Sequence, residues 1–221
     1  MEKKYLFFDI DGTLTDRSTG EIVPSAREAL TRLEENGHFV AIATGRAHYK
    51  ARKFTDANGF KNMVCCGGNG CVIDNELVEN IPLDKGGCIK IIHQAEELGY
   101  GWCVALDDTK DVYMTDDKFL RQVGKRKEPT RYIIDDMLEV EKADAIYKVY
   151  VAIPKEDEEK LTTKELVGHL RFEPEYLMFQ PDNKRGGIIK MMEHLNADIK
   201  DVVVFGDDYN DMDMFCPEWF S

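Results

Sequence analysis

Short apolar runs, each ended by a turn, alternate with stretches of helical periodicity over the first third of the chain. Tyr5-Leu6-Phe7-Phe8 is apolar throughout, which predicts a parallel strand buried on both faces. Ala26, Ala29, Leu30 and Leu33 recur at helical spacing and predict a helix over residues 25–36 with that apolar stripe. Ser25 and Glu28, after Pro24, read as a capping box at its start, and Gly37 suits the position just past its end. Residues 39–43 form a second predicted strand, followed by Thr44-Gly45-Arg46 and a helix that ends near Gly59. Residues 63–66 read as a third strand, and Gly67-Gly68-Asn69-Gly70 turns the chain into Cys71-Val72-Ile73 as a hairpin.

The regular alternation stops near Pro82. From there to about Pro181 the pattern reads helix, strand, strand, helix and then a longer α+β stretch. Residues 145–153 alternate in strand fashion around Lys148, and residues 171–179 read as a strand pair turning near Pro174. Residues 186–195 then read as a helix, and 202–205 return to the parallel sheet. The pattern predicts the α/β class: a Rossmann-like, mostly parallel sheet built from residues 1–82 and 181–221, with residues 83–180 inserted as an α+β domain. There is no internal repeat and no low-complexity tract.

Two of the apolar runs end in acidic clusters. Asp9-Ile10-Asp11-Gly12-Thr13 follows the first strand, and Gly206-Asp207-Asp208-Tyr209-Asn210-Asp211 follows Val202-Val203-Val204-Phe205. Ligands of open α/β sheets bind outside the carboxyl ends of the strands, so Asp9, Thr44 and Asp207 are expected to converge. At ~4 Å and an effective dielectric of ~20, two carboxylates repel by roughly 4 kcal/mol. Such crowding implies a bound divalent cation, raised pKa values, or both. Oxygen-only ligands favour a hard ion such as Mg²⁺. Gly12 permits a sharp turn whose N–H groups face an anion, and Thr44 and Gly45 are expected to open a helix whose amino terminus suits phosphate. Lys184, before Gly186-Gly187 and another helix start, is a second place where a cation and backbone donors meet phosphate oxygens.

Composition narrows the classes. Acids outnumber bases 42 to 29, for a net charge of −13, which argues against nucleic acid as a partner. A small phosphorylated metabolite is not excluded, because one local cation reverses the field inside a pocket. Six cysteines, none in a C-x-x-C pair, match no zinc spacing and suit a reducing cytoplasm; Cys65 and Cys66 lie in an apolar run. The amino terminus lacks the apolar stretch of a signal peptide, and no run approaches the ~18 apolar residues of a membrane span.

The ordered set Asp9-Ile10-Asp11-Gly12-Thr13-Leu14, Thr44-Gly45-Arg46, Lys184-Arg185-Gly186-Gly187-Ile188 and Gly206-Asp207-Asp208-Tyr209-Asn210-Asp211 resembles the four motifs of the haloacid dehalogenase-like hydrolases. The long insertion between the second and third motifs resembles that of the Cof-type phosphatases. The resemblance implies a phosphatase acting on small phosphorylated metabolites such as sugar phosphates. Asp9 is then the nucleophile that forms an aspartyl-phosphate, and Asp11 the general acid and base. Mg²⁺ is held by Asp9, the backbone carbonyl of Asp11 and Asp207, with Asp211 supporting the ligands. Gly12, Thr44, Gly45, Lys184 and Asn210 bind the phosphoryl group. The insertion would act as a cap that excludes water and selects substrate. Members of the family continue past the fourth motif, whereas this sequence stops at Ser221, from which an exposed apolar sheet edge is expected.

Singly, each of these residues has a plainer reading. An acid after a strand is a turn residue, Thr44 a helix cap, Lys184 a solvated lysine. The order of the full set favours the functional reading. Asp208 is expected to shape its loop and Asp213 to face solvent; Asp107, Asp108, Asp116 and Asp117 read as loop residues of the insertion. Arg121, Lys125, Arg126, Lys127 and Arg131 read as a solvated basic face. A phosphomutase, a phosphorylation-operated receiver and an idle metabolite-binding protein remain as alternative functions. Oligomeric state is not legible.

Overall fold

The computed structural model describes residues 2–126 and 130–221. In chain order the elements are β1 (Tyr5–Phe8), α1 (Pro24–Glu35), β2 (Phe39–Ala43), α2 (His48–Asn58), β3 (Met63–Cys65), β4 (Gly70–Ile73) and β5 (Glu76–Asn80). There follow α3 (Lys85–Glu97), β6 (Trp102–Ala105), β7 (Asp111–Met114), α4 (Lys118–Val123), β8 (Arg131–Ile134), β9 (Lys148–Val151), β10 (His169–Glu173) and β11 (Tyr176–Phe179). The chain ends with α5 (Lys184–His194), β12 (Val202–Phe205) and a 3-10 turn over Tyr209–Met214. It divides into two compact units: Met1–Asn80 with Asn183–Ser221, and the inserted Ile81–Asp182.

The first unit is built on a six-stranded sheet in the order β12-β1-β2-β3-β4-β5. The β12, β1, β2 and β3 neighbours are parallel, and the β3-β4-β5 hairpins are antiparallel. Both faces are covered, which is why the strands read as continuous apolar runs rather than alternating ones. Phe7, Ala41, Ala43, Val64, Val202 and Val204 pack with Ile188, Met191 and Met192 of α5. On the other face Leu6, Phe8, Val40, Ile42, Met63 and Val72 pack with Leu30 of α1 and Ala51 of α2. Each such large side chain contributes roughly 1.5–3 kcal/mol of transfer free energy. The register pairs Phe8 with Phe205 and with Ile42, so three parallel strands finish level and deliver Asp9, Thr44 and the Asp207 loop to one edge.

The inserted unit has its own six-stranded sheet, ordered β10-β11-β9-β6-β7-β8, antiparallel except between β7 and β8. One face buries Cys88, Ile91, Ile92 and Ala95 of α3 against Trp102, Val104, Val149, Val151, Leu177 and Phe179. The other face gathers Cys103, Val112, Met114, Phe119, Tyr150 and Met178. Arg171 ties the β10-β11 turn together: it pairs with Glu158 at 2.7 Å and donates to the carbonyls of Ile153, Glu173, Pro174 and Tyr176.

Several local expectations fail. The capping box at Ser25 and Glu28 is absent: Pro24 takes the first helical position and Val23 the cap, so Ser25 lies one residue inside the helix and no side chain caps it. A proline at that position removes one of the donors a cap would have served. Ala29 is exposed, leaving Ala26, Leu30 and Leu33 as the face that packs. Cys66 has left the strand, with φ of 54°. Arg126 is no solvated side chain: its guanidinium lies 3.8 Å from the Tyr150 ring centroid and donates to Thr130 Oγ1. Arg121, Lys125 and Arg131 are exposed as expected, Arg121 pairing with Asp117 and Arg131 with Asp111; Lys127 lies outside the described residues. The β12 edge is partly paired by the chain's own end, where Val204 N donates to Phe220 O at 3.1 Å; Phe205, Phe215 and Phe220 stay exposed. Among the described residues no disulfide forms and no helix is long and apolar enough to cross a membrane.

Candidate active site

Asp9 is the first residue beyond β1. Its amide donates to Phe205 O at 2.9 Å, which continues the parallel ladder by one step and aims the carboxylate past the sheet end. Asp9, Asp207 and Asp211 each offer a carboxylate oxygen, and the three oxygens lie within 4.8 Å of one another. The first two come from opposite ends of the sequence and meet because β1 and β12 are hydrogen-bonded neighbours.

Lys184 holds the group together. Its side chain is 1 % exposed, and Nζ donates to Asp9 Oδ1 at 2.7 Å and to Asp211 Oδ1 at 2.5 Å. Burial works to lower its pKa, but the two carboxylates outweigh that and raise it, so the ammonium stays charged. Asp9 is pushed above the usual carboxylate range chiefly by burial; Lys184 opposes the shift and Asp211 adds to it. One lysine facing two acids leaves one negative charge uncompensated. Asp211 is fully buried, and its second oxygen accepts the amides of Asp207 at 3.1 Å and Asp208 at 3.2 Å. It therefore braces the loop that carries Asp207.

Asp207 spends both oxygens on side-chain donors: Oδ1 accepts Thr13 Oγ1 at 2.9 Å and Oδ2 accepts Arg17 Nη2 at 2.6 Å. Asp11 points elsewhere and is gripped by Arg46, with Nη2 at 2.6 Å from Oδ1 and Nε at 3.1 Å from Oδ2. The Arg46 guanidinium also stacks over Phe54 at 5.5 Å, which fixes its plane. Gly12 has φ of 104°, and a Cβ there would lie 2.3 Å from Asp207 Oδ2, so only glycine lets the Asp207 carboxylate come this close. Gly187 acts the same way on the other flank: a Cβ would meet Val64 Cγ1 at 2.5 Å, and its absence lets the start of α5, with Lys184, seat against the sheet.

Thr44 is buried one residue beyond β2, and its Oγ1 accepts Arg46 N at 3.2 Å. Thr44 and half-buried Gly45 do not open a helix, because α2 begins only at His48 after the cap residue Ala47. Nor are the first amides of α5 open to an anion. Arg185 N donates to Asp213 at 2.8 Å, Gly186 N to the Asn183 side chain at 2.9 Å and Gly187 N to Asn183 O at 3.1 Å. The amides of Arg185, Gly186 and Gly187 are therefore already taken, and the anion site expected at this helix start is not open. The same bond corrects the reading of Asp213, which turns inward rather than to solvent; burial raises its pKa. Asp208 caps the Tyr209–Met214 turn, and Asn210 sits half-buried within that turn. Sequence reasoning assigned no role to Thr13, Arg17 or Arg46. Thr13 and Arg46 carried a signal, as members of the Asp9-to-Leu14 and Thr44-Gly45-Arg46 motifs; Arg17 carried none.

The three clustered carboxylates are hard oxygen donors with one uncompensated charge, and the tight Gly12 turn brings the third of them in. This set fits a divalent cation such as Mg²⁺.

A family model described as haloacid dehalogenase-like hydrolase matches residues 6–216. The chain is 28 % identical to the putative phosphatase YkrA of Bacillus subtilis (strain 168), over 97 % of this chain and 83 % of that protein. It is 27 % identical to the pyridoxal phosphate phosphatase YbhA of Escherichia coli (strain K12), over 97 % of this chain and 85 % of the relative. Among solved structures it superposes on a subclass IIB sugar phosphatase with a TM-score of 0.72 at 22 % identity, covering 96 % of this chain and 84 % of that one.

Proposed function

The chain belongs to the haloacid dehalogenase-like hydrolases, and from that premise we propose that it is a Mg²⁺-dependent phosphatase of small phosphorylated metabolites, sugar phosphates foremost, working through an aspartyl-phosphate on Asp9. The observation that carries this reading is the cluster of Asp9, Asp207 and Asp211 within 4.8 Å, with buried Lys184 bridging Asp9 and Asp211. The phosphatase names of the curated relatives support it.

In this reading Asp9 attacks phosphorus through a carboxylate oxygen, and the bond to the leaving oxygen breaks as Asp11 delivers a proton to that oxygen. Asp11, now a carboxylate, takes a proton from water; the water oxygen attacks the phosphorus of the aspartyl-phosphate, releasing phosphate and regenerating Asp9. Lys184 stands against Asp9 and stabilises the negative charge that gathers on the phosphoryl oxygens. Thr44, Gly12, Gly45 and Asn210 supply the remaining polar contacts to the phosphoryl group. Arg46 holds Asp11 in its two-point grip between the two proton transfers. A bound Mg²⁺, held by Asp9, Asp207 and the Asp11 carbonyl with Asp211 bracing them, supplies charge neutralisation during phosphoryl transfer. Choice of the leaving group we assign to the inserted unit, residues 81–182, which interrupts the motifs without contributing to them.

The test is phosphate release from p-nitrophenyl phosphate and a panel of sugar phosphates and pyridoxal phosphate, with and without Mg²⁺. The parent chain is expected to turn over and Asp9→Asn to lose at least about 10³-fold in kcat. Equal rates for the two would eliminate the covalent mechanism. Isomerised substrate in place of free phosphate would convert the reading to a phosphomutase.

A further inference from the structure

Arg17 is the second cation of the cluster, and it differs from Lys184 in every respect that governs exchange. Lys184 is buried and begins a helix, whereas the Arg17 side chain is 66 % exposed. Its backbone is firm: Asp16 N donates to Glu21 O at 3.0 Å, Gly20 N to Asp16 O at 2.8 Å, and the Asp16 carboxylate accepts Ser18 N at 2.8 Å. From this tight turn the guanidinium reaches Asp207 Oδ2 at 2.6 Å and lies 3.9 Å from Asp208 Oδ2. Thr13 already occupies Oδ1. A metal ion taking Asp207 must therefore meet one protein donor or the other. The charged and exposed donor is the one that solvent and a divalent ion displace readily, because exposed ion pairs are weak. Beside it a cavity of about 280 Å³, bounded by Asp11, Thr15, Arg17 and Asp208, gives the side chain room to move away.

We propose that Arg17 is an internal counter-cation of the metal site: it occupies Asp207 Oδ2 in the metal-free protein and is displaced by the incoming divalent ion, so that guanidinium and metal compete for one carboxylate oxygen. The inference rests on the metal reading of Asp9, Asp207 and Asp211 given above. Two consequences follow from the charges. Arg17 weakens metal binding, both by occupying a ligand atom and by placing a positive charge beside the ion. It also compensates Asp207 while no metal is bound, so removing it does not raise the stability of the metal-free protein.

Mg²⁺ titration of the parent, Arg17→Gln and Asp207→Asn by calorimetry, with Mg²⁺-dependent thermal shift as a second readout, tests this without reference to turnover. Arg17→Gln is expected to bind Mg²⁺ about two- to tenfold more tightly than the parent and to show the larger thermal shift. Asp207→Asn is expected to lose binding. In ¹⁵N spectra the Arg17 Nε–Hε resonance, identified by its loss in Arg17→Gln, is expected to move over the same Mg²⁺ range. Parent-like or weaker binding by Arg17→Gln overturns the inference and leaves the metal site standing. Failure of both parent and Arg17→Gln to bind Mg²⁺ overturns the metal site, and this inference with it.

Discussion

Replacing Lys184 with Met keeps most of the side-chain volume and removes one charge from a place that water does not reach. The ammonium is 2.7 Å from Asp9 and 2.5 Å from Asp211, and those two acids lie within 4.8 Å of each other. At an effective dielectric of ~20, two carboxylates at that spacing repel by about 3 kcal/mol. Breaking a buried pair by deleting one partner costs about 3–5 kcal/mol by the same reasoning. There is an upper bound. Protonating an aspartate whose ordinary value is 3.8 costs about 4 kcal/mol at pH 7, so Asp9 takes up a proton rather than bear a larger penalty. The expected loss is therefore about 3–4 kcal/mol at pH 7 in EDTA, a fall in Tm of roughly 10 °C for a chain of this size. The same bound fixes the pH dependence: near pH 4 the proton comes at almost no cost and the penalty shrinks towards zero. Mg²⁺ should restore more stability to Lys184→Met than to the parent, because the ion replaces the missing positive charge. Urea and thermal unfolding followed at pH 7 and pH 4.5 measure all three quantities. A variant within about 1 kcal/mol of the parent at pH 7, or a penalty that does not diminish on acidification, would show that Lys184 does not compensate this cluster.

Further outcomes follow from the same geometry. Asp9 has a folded pKa raised above 3.8, so its ionised form burdens the fold once the pH exceeds the ordinary carboxylate range. Asp9→Asn should therefore raise the Tm of the EDTA-treated protein at pH 7, with the gain fading below about pH 4; no gain at pH 7 would contradict the raised value. Gly12→Ala meets Asp207 Oδ2 at 2.3 Å from a φ of 104°, so calorimetry should show about 1–3 kcal/mol of lost stability and a diminished Mg²⁺-induced shift. Arg171→Met leaves the carbonyls of Ile153, Glu173, Pro174 and Tyr176 without their shared donor. It should destabilise the inserted unit by about 3 kcal/mol, seen as faster hydrogen exchange at residues 177–179 with β1 and β2 unchanged.

The parallel strands were legible because both faces of the sheet are covered, so β1, β2 and β12 carry unbroken apolar runs that end sharply at Asp9, Thr44 and Gly206. The meeting of Asp9 with Asp207 was readable for the same reason, since parallel neighbours in one sheet end on one side. The hydrogen-bond partners of α1, α2 and α5 were not readable. At α1 the proline displaced the cap that Ser25 advertised, and a one-residue offset is enough to turn a cap into an ordinary helical serine. At α5 the glycines Gly186 and Gly187 suggest amides open to phosphate. Yet Asn183 takes both of those amides, and Asp213, from beyond β12, takes the Arg185 amide ahead of them in a fold-dependent contact that no local pattern announces.

The arginines show where sequence reasoning stops and why. Arg17, Arg46, Arg126 and Arg131 are alike as letters in an acidic chain; charge patterning placed Arg126 and Arg131 on a solvated face, Arg46 stood in a motif without a role, and Arg17 drew no reading. In the fold each has a different fate: one stands on Asp207, one grips Asp11, one lies over the Tyr150 ring, one pairs with Asp111. What separates them is which carboxylate or ring the backbone brings within reach of a long side chain, a tertiary property. An acid at the end of a strand is different, because its position follows from the strand itself. The candidate site accordingly divides into two groups. Asp9, Asp11, Thr44 and Asp207 stand at or near strand ends and were named from the pattern. The cations that compensate them arrive from a turn, a loop and a helix start; Lys184 and Arg46 lay in motifs, but only Lys184 was given a role, and Arg17 had nothing to mark it. The charge balance of the site, and with it the contest between Arg17 and a metal ion for Asp207, belongs to that second group.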